Sequence, residues 1–126
     1  MRILLDTQVL IWYLEGNQRL PRPNRHLIVE ARNEIYVSIA SLWEIALKAS
    51  TGKLKVSRSL ADILPVLHDQ SIDLLQIMPG HVLQLATLPF HHRDAFDRML
   101  IAQAQVEFLT VMSHEDVFGQ YGIKVI

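Results

Sequence analysis

Two kinds of segment alternate along the chain. Short apolar runs that stop at a polar residue, such as Ile3-Leu4-Leu5 before Asp6, are typical of buried strands. Longer stretches whose apolar residues recur every three or four positions are typical of helices. Strands are predicted over residues 3–5, 34–38, 72–77, 108–112 and 123–126, and helices over 7–14, 24–32, 41–50, 59–70, 79–88, 94–104 and 115–121. This alternation predicts crossover units, and therefore an α/β fold with a parallel sheet between two layers of helices.

The helix predicted over residues 94–104 begins with two carboxylates on an otherwise apolar face. Asp97, Ile101, Ala104 and Phe108 recur at the spacing of one helical face. Asp94 continues that face three positions earlier. Helix capping by Asp94, with Asp97 as a first-turn acid, would explain both residues. A cation site would explain them too, because carboxylates at the head of a buried face are costly without a positive partner.

Further acids are predicted at one edge of the sheet. Ligands of parallel α/β sheets bind beyond the carboxyl ends of the strands, where the strand order changes direction. Asp6 follows the first strand, and Glu44 lies in the helix after the second. Glu115 and Asp116 follow the fourth strand. Asp6 alone, or Ser41 with Glu44 as a capping box, could be explained by capping. Capping does not explain why several elements bring an acid to the same edge.

Composition is that of an ordinary globular domain. The 126 residues suit a single domain over 1–126, with half of them hydrophobic and a fifth charged. Twelve Lys and Arg against thirteen Asp and Glu give a net charge of −1, so contact with nucleic acid requires a local basic patch. No apolar run approaches the ~18 residues of a membrane span. The acid at position 6 interrupts the region where a signal peptide needs apolar residues, so we expect a cytoplasmic protein.

The donor set favours a hard divalent cation. Carboxylates within about 4–6 Å of one another repel and raise one another's pKa, and a cation removes that conflict. The chain has no cysteine, which excludes thiolate ligands and disulfides. His91 and His92 precede Asp94, but adjacent histidines lack the one-turn spacing of zinc ligands, and a surface loop is predicted for them. Oxygen ligands alone point to Mg²⁺ or Mn²⁺ rather than to zinc.

Four motifs in this order resemble the PIN-domain nucleases and, within them, the VapC-type toxins of bacterial toxin–antitoxin pairs. They span the chain from end to end. The motifs are Leu4-Leu5-Asp6-Thr7, Ser41-Leu-Trp-Glu44-Ile45, Asp97-Arg-Met-Leu-Ile-Ala-Gln-Ala104, and Val111-Met-Ser113-His-Glu115-Asp-Val-Phe118 followed by Tyr121-Gly122. The resemblance implies a three-layer α/β/α PIN-like fold with a five-stranded parallel sheet in the order 3-2-1-4-5. It also implies an Mg²⁺- or Mn²⁺-dependent endoribonuclease.

The resemblance also implies the metal ligands. They are Asp6, Glu44, Asp97 and the acid after the fourth strand, and Asp94 matches an additional acid of some relatives. The family usually has Asp two positions after Ser or Thr and three before an aromatic residue. Both spacings select Glu115 here, although the neighbouring Asp116 could take the role instead.

Substrate and partners follow from the same resemblance. It implies single-stranded RNA as substrate, a cognate antitoxin as inhibitor, and a homodimer for which the apolar first helix could serve. Arg93 and Arg98 flank the acids and could hold RNA phosphates, or could balance charge or contact the antitoxin. Ser113 resembles the family residue that orients the neighbouring acid, and could also cap the last helix. Lys48 falls in a basic run after Glu44 for which a solvated face is the commoner explanation.

Two other functions stay open from the sequence. A PIN-like module that binds RNA or protein without cleavage would bind no divalent cation. A phosphoryl-transfer enzyme on a doubly wound fold would use Asp6 as a nucleophile and would need a lysine near the site. No lysine is convincingly placed by the sequence.

Overall fold

A computed structural model describes residues 1–126 and contains four strands and six α-helices. The strands are β1 (Arg2–Leu5), β2 (Glu34–Ser38), β3 (Ile72–Leu75) and β4 (Thr110–Met112). The helices are α1 (Thr7–Glu15), α2 (Arg22–Val29), α3 (Ile39–Ser50), α4 (Leu60–Asp69), α5 (Pro79–Ala86) and α6 (Ala95–Glu107), and a 3₁₀ helix covers Asp116–Tyr121. The strands form one sheet in the order β3-β2-β1-β4, and every neighbouring pair is parallel. The predicted α/β class is confirmed.

The central strand β1 separates two hydrophobic cores. Its side chains alternate between the two faces of the sheet, so Ile3 and Leu5 enter one core and Leu4 the other. All three are fully buried, as expected for a parallel strand covered on both sides. Helices α1 to α4 contribute to the core on the first face, while α5, α6 and the 3₁₀ helix cover the second. This arrangement gives the predicted three layers.

The sheet has four strands rather than the predicted five. Residues 123–126 form only one parallel bridge, between Val125 and Val111. The Val111 N–H donates to the carbonyl of Lys124 at 2.9 Å, and the Ile126 N–H donates to the carbonyl of Val111 at 2.9 Å. Because β4 has only three residues, it offers this segment little length to pair with. The segment therefore lies beside β4, where the fifth strand was expected, without forming a strand.

Helix α3 begins earlier than predicted, and its cap is a different serine. The Ser38 Oγ accepts the Ala40 N–H at 3.0 Å, so Ser38 is the N-cap. Ser41 and Glu44 therefore do not form a capping box, and the capping explanation for Glu44 is wrong. The Ser41 Oγ instead accepts a hydrogen bond from the Thr7 hydroxyl at 2.9 Å, which ties α3 to α1 beneath the carboxyl edge of the sheet.

Two other helix ends also differ from the prediction. Helix α2 begins after Pro21, so Asn24 lies inside its first turn and does not cap it. Phe108, predicted as part of the buried face and of the fourth strand, adopts the left-handed conformation after α6 with φ of 56°. Its side chain is 87% exposed. The apolar face of α6 therefore ends at Ala104.

Helix α1 buries one part of its apolar surface within the chain. Val9, Leu10 and Ile11 all belong to the first core and are at most 7% exposed. Trp12, Tyr13 and Leu14 on the same helix are only partly buried, so a dimer contact through α1 stays a prediction. None of the six helices has both the length and the apolar character that crossing a bilayer requires.

Candidate metal centre

A pocket opens at the carboxyl ends of β1 and β4, where the strand order changes direction. It holds about 140 Å³, which is enough for a cation with several waters. The pocket is lined by Asp6, Thr7, Gln8, Ile11, Glu44, Lys48, Leu54, Asp94, Asp97 and Glu115. These residues include all five acids predicted as catalytic. The fold therefore brings to one place side chains that come from four separate parts of the sequence.

Asp6 lies at the floor of the pocket, directly after β1. Its backbone N–H donates to the carbonyl of Met112 on β4 at 3.1 Å, and its Oδ1 accepts the Val9 N–H at 2.7 Å as the N-cap of α1. The predicted cap is therefore present, and it engages one oxygen of a residue that is only 3% exposed. Burial raises the pKa of Asp6 to about 6, although hydrogen bonds from Ser113 and Val9 oppose that rise.

Glu44 reaches the pocket from α3 with one oxygen unsatisfied. The residue is 7% exposed, and its Oε1 is buried without a hydrogen-bond partner. Its Oε2 pairs with the ammonium of Lys48, one turn further along the same helix. A buried carboxylate oxygen without a partner is costly in a folded protein and calls for a cation or a donor.

Asp94 and Asp97 enter from the first turn of α6. Asp94 is the N-cap, and its Oδ1 accepts the Asp97 N–H at 2.8 Å. Burial raises the pKa of Asp97 to about 8, and repulsion from Asp94, Glu115, Glu44 and Asp6 adds to that rise, in this order. Every other acid of the pocket thus acts on Asp97. The cap and the acid cluster coexist on this helix, so the capping explanation does not exclude the cation site.

The two acids that follow β4, Glu115 and Asp116, lie in different places relative to the pocket. Glu115 lines the pocket, whereas Asp116 does not and starts the 3₁₀ helix. The Ser113 Oγ accepts the Glu115 N–H at 3.0 Å. Ser113 is also 7% exposed and lowers the pKa of Asp6 through a hydrogen bond. Its position behind Asp6 fits the orienting role expected of it and leaves little access for RNA.

A buried hydrogen-bond network behind Asp97 was missed by the sequence analysis. The predicted surface loop places His92 with its side chain 19% exposed, and its Nε2 lies 3.4 Å from Asp97 Oδ2 without a hydrogen bond. The His92 Nδ1 is 2.9 Å from the hydroxyl of Tyr121. The adjacency of His92 to the helix start was the only signal in the sequence, since the contact with Tyr121 joins residues 29 positions apart.

Arg98 does not have the exposure that an RNA contact needs. It is 6% exposed and its guanidinium donates to the carbonyls of Pro89 at 2.8 Å and Leu88 at 3.3 Å, and to the Tyr121 hydroxyl at 3.1 Å. The same group lies over the ring of Phe90 at 4.1 Å. Arg98 therefore secures the loop before α6, which contradicts the RNA-binding role considered for it. Arg93 is exposed and keeps that possibility.

The donor atoms of the pocket suit a hard divalent cation, but the side chains are not arranged around a common ion position. Five carboxylates, an unpartnered buried Glu44 oxygen and the raised pKa of Asp97 all favour a cation there. No three His, Asp or Glu side chains are arranged so that they could hold an ion as they stand. Small rotations, or water between the carboxylates and the ion, would be needed. Mg²⁺ ordinarily keeps several of its waters in proteins.

The chain combines a parallel three-layer α/β fold with an acid-lined pocket at the switch point of its sheet. The sequence model of the PIN domain family matches residues 3–124. The chain therefore belongs to the PIN domain family. A comparison with curated protein sequences gave no match.

Solved structures share the fold over nearly the whole chain. VapBC2 from Rickettsia felis, bound to a DNA fragment of its promoter, aligns with a TM-score of 0.75 at 15% identity and covers 100% of this chain and 98% of that one. FitAcB from Neisseria gonorrhoeae aligns with a TM-score of 0.68 at 23% identity, covering 98% and 96%. DNA-bound VapBC from Salmonella typhimurium aligns with a TM-score of 0.70 at 17% identity, covering 100% and 97%. At these identities the likeness concerns the fold.

Proposed function

We propose that the chain is a VapC-like toxin that hydrolyses phosphodiester bonds in single-stranded RNA with Mg²⁺ or Mn²⁺. The observation that carries this proposal is the convergence of Asp6, Glu44, Asp94, Asp97 and Glu115 on one pocket. Membership of the PIN domain family supports nuclease activity in general terms. The carboxylate-only donor set supports the choice of metal.

The protein residues have distinct tasks in this proposal. Asp6, Glu44, Asp97 and Glu115 would hold the cation, and Asp94 would add negative charge beside Asp97. When bound, a divalent cation supplies positive charge that polarises the phosphate and activates water for in-line attack. The Val9 N–H holds one oxygen of Asp6 at 2.7 Å, which fixes the orientation of that carboxylate in the pocket.

A cleavage assay with purified protein tests the proposal. Total RNA is incubated with the protein in Mg²⁺, in Mn²⁺ or in EDTA, and new 5′ ends are mapped. We expect cleavage in either metal, none in EDTA, and none with Asp6→Asn or Asp97→Asn. Asp62→Asn is the matched control, because Asp62 is also a first-turn acid, in α4, and lies outside the pocket. Cleavage that persists in EDTA, or that survives both pocket substitutions, would contradict the proposal.

The partners belong to the proposal as well. One structural neighbour is a toxin–antitoxin complex from Klebsiella pneumoniae, and we propose that an antitoxin likewise silences this chain by covering the acidic pocket. We propose a cytoplasmic location, in keeping with access to RNA. A homodimer remains a prediction, and exposed apolar side chains such as Trp43 and Leu83 are available for it besides α1. Size-exclusion chromatography with light scattering tests the oligomeric state.

One observation supports the alternative function of phosphoryl transfer. A lysine does lie at the site, because Lys48 lines the pocket and pairs with Glu44. An aspartyl-phosphate would form by attack of an Asp6 carboxylate oxygen on the phosphorus of a phosphoryl donor, with cleavage of the donor's P–O bond and, for acetyl phosphate, release of acetate. Incubation with acetyl phosphate followed by intact-mass measurement tests this alternative. We expect no gain of a phosphoryl mass, because Asp6 is buried at 3% exposure with one oxygen engaged in capping.

A further inference from the structure

Lys48 is a positive side chain inside an acidic pocket. It lies four residues after Glu44 on α3, where a glutamate and a following lysine face each other on a helix. Its ammonium is bound to Glu44 Oε2, and the pair is unevenly buried, with the Lys48 side chain 40% exposed and that of Glu44 9% exposed. The lysine thus reaches inward from the mouth of the pocket to a buried carboxylate.

No other cationic side chain lines this pocket. Its ten lining residues include five carboxylates and a single ammonium, that of Lys48. The remaining lysines and arginines of the basic run after α3 lie elsewhere, and Arg58 lines a separate groove with Leu14 and Ile63. Lys48 is therefore the one lysine or arginine among the lining residues whose charge can offset the carboxylates when no metal ion is bound.

The two oxygens of Glu44 are in different states. Oε2 is bound to Lys48, while Oε1 is buried without any partner. A carboxylate taken out of water needs a positive neighbour, and in the metal-free protein only Lys48 provides one. A divalent cation at Oε1 would give Glu44 a second positive neighbour and would be repelled by the ammonium bound at Oε2 of the same carboxylate.

We propose that Lys48 is a built-in counter-ion that holds Glu44 in the metal-free protein and competes with the divalent cation for it. This inference rests on the proposed function, because it assumes that the pocket binds a metal. Metal binding then favours withdrawal of the Lys48 ammonium from Glu44 towards the exposed mouth. The competition lowers the affinity for metal and at the same time keeps the metal-free site folded. Lys48 is thus a positioning residue that acts through Glu44.

Direct measurement of Mn²⁺ binding tests this inference without reference to cleavage. Isothermal titration of the full chain with Mn²⁺ at pH 7 compares the wild type with Lys48→Met, which keeps the length and removes the charge. A single charge at contact distance shifts ionic equilibria of a carboxylate by one or more pKa units, so we expect about tenfold tighter Mn²⁺ binding. Lys48→Arg should restore the wild-type affinity. The metal-free Lys48→Met protein should also melt at a lower temperature and gain more from Mn²⁺.

Control variants separate a local effect from a general change of charge. Lys53→Met removes an exposed lysine just after the same helix and should leave Mn²⁺ affinity unchanged. Lys48→Gln keeps a donor for Glu44, replaces the methionine variant if that protein fails to fold, and should also bind Mn²⁺ more tightly. Equal or weaker Mn²⁺ binding by the charge-removing variants, with measurable binding by the wild type, overturns the role of Lys48 and leaves the nuclease proposal standing. Absence of Mn²⁺ binding in all variants overturns both.

Discussion

Replacement of Asp97 by asparagine should stabilise the metal-free protein. Asp97 is ionised at pH 7 in the unfolded chain, but in the folded chain burial and four neighbouring acids raise its pKa from 3.8 to about 8. On folding at pH 7, the Asp97 carboxylate therefore either binds a proton or stays charged among carboxylates that repel it. About three pKa units separate the unfolded value from pH 7, and at ~1.4 kcal/mol per unit they set an upper limit of about 4 kcal/mol.

Two effects reduce the stabilisation expected from Asp97→Asn, namely the loss of a helix-dipole interaction and the screening of the repulsion by water. Asp97 lies in the first turn of α6, and loss of its charge near the helix N-terminus costs about 0.3–1 kcal/mol. Its side chain is 16% exposed, so water screens part of the repulsion. We expect Asp97→Asn to raise the free energy of unfolding by about 1–3 kcal/mol at pH 7 to 8 in EDTA.

The pH dependence of stability provides a second test of whether Asp97→Asn stabilises the protein. Because the folded pKa lies above the unfolded one, the contribution of Asp97 is fully favourable below pH 4 and is lost as the pH rises towards 8. The variant should therefore match the wild type at about pH 4 and exceed it at pH 8. Urea unfolding in EDTA, followed by tryptophan fluorescence at both pH values, measures the difference.

The matched control is Asp62→Asn, which removes an acid from the equivalent position of α4. Asp62 is exposed and its N–H donates to the Ser59 cap, as that of Asp97 donates to Asp94. The Asp62→Asn variant should lose about 0.3–1 kcal/mol of its free energy of unfolding at pH 8, which is the ordinary helix-dipole contribution. If Asp97→Asn loses a similar amount there, Asp97 is an ordinary first-turn acid and the argument for a repelling cluster is refuted.

Three further outcomes are expected. Arg98→Met should lower the free energy of unfolding by about 2–4 kcal/mol in urea melts, because several carbonyls and a hydroxyl lose their donor, and an unchanged stability would contradict this role. Ser38→Ala should cost about 1 kcal/mol through loss of the α3 cap, against no loss if the helix started at Ser41. Glu115→Gln should weaken Mn²⁺ binding in titration calorimetry while Asp116→Asn should not, and the reverse result would assign the fourth acid to Asp116.

The sequence predicted the order of strands and helices because its periodicity is strong and local. Buried strands such as β1 are continuous apolar runs, and the carboxyl-edge rule then placed Asp6 and Glu44 at one edge. Element ends were predicted less well. Ser38 and Ser41 are both good cap residues three positions apart, and only the packing of α3, with Ser41 turned to Thr7, decides between them.

What the sequence determined by itself is the α/β class and the set of acids that face the switch point, since both follow from residue spacing along single elements. Tertiary structure alone decided which neighbours those acids meet. The inward direction of Lys48, the contact of His92 with Tyr121, and the burial of Arg98 all join or orient groups across elements. Spacing along one helix indicates only which residues are adjacent on its surface, whereas burial against another element determines whether a charge faces solvent, a carbonyl or another charge.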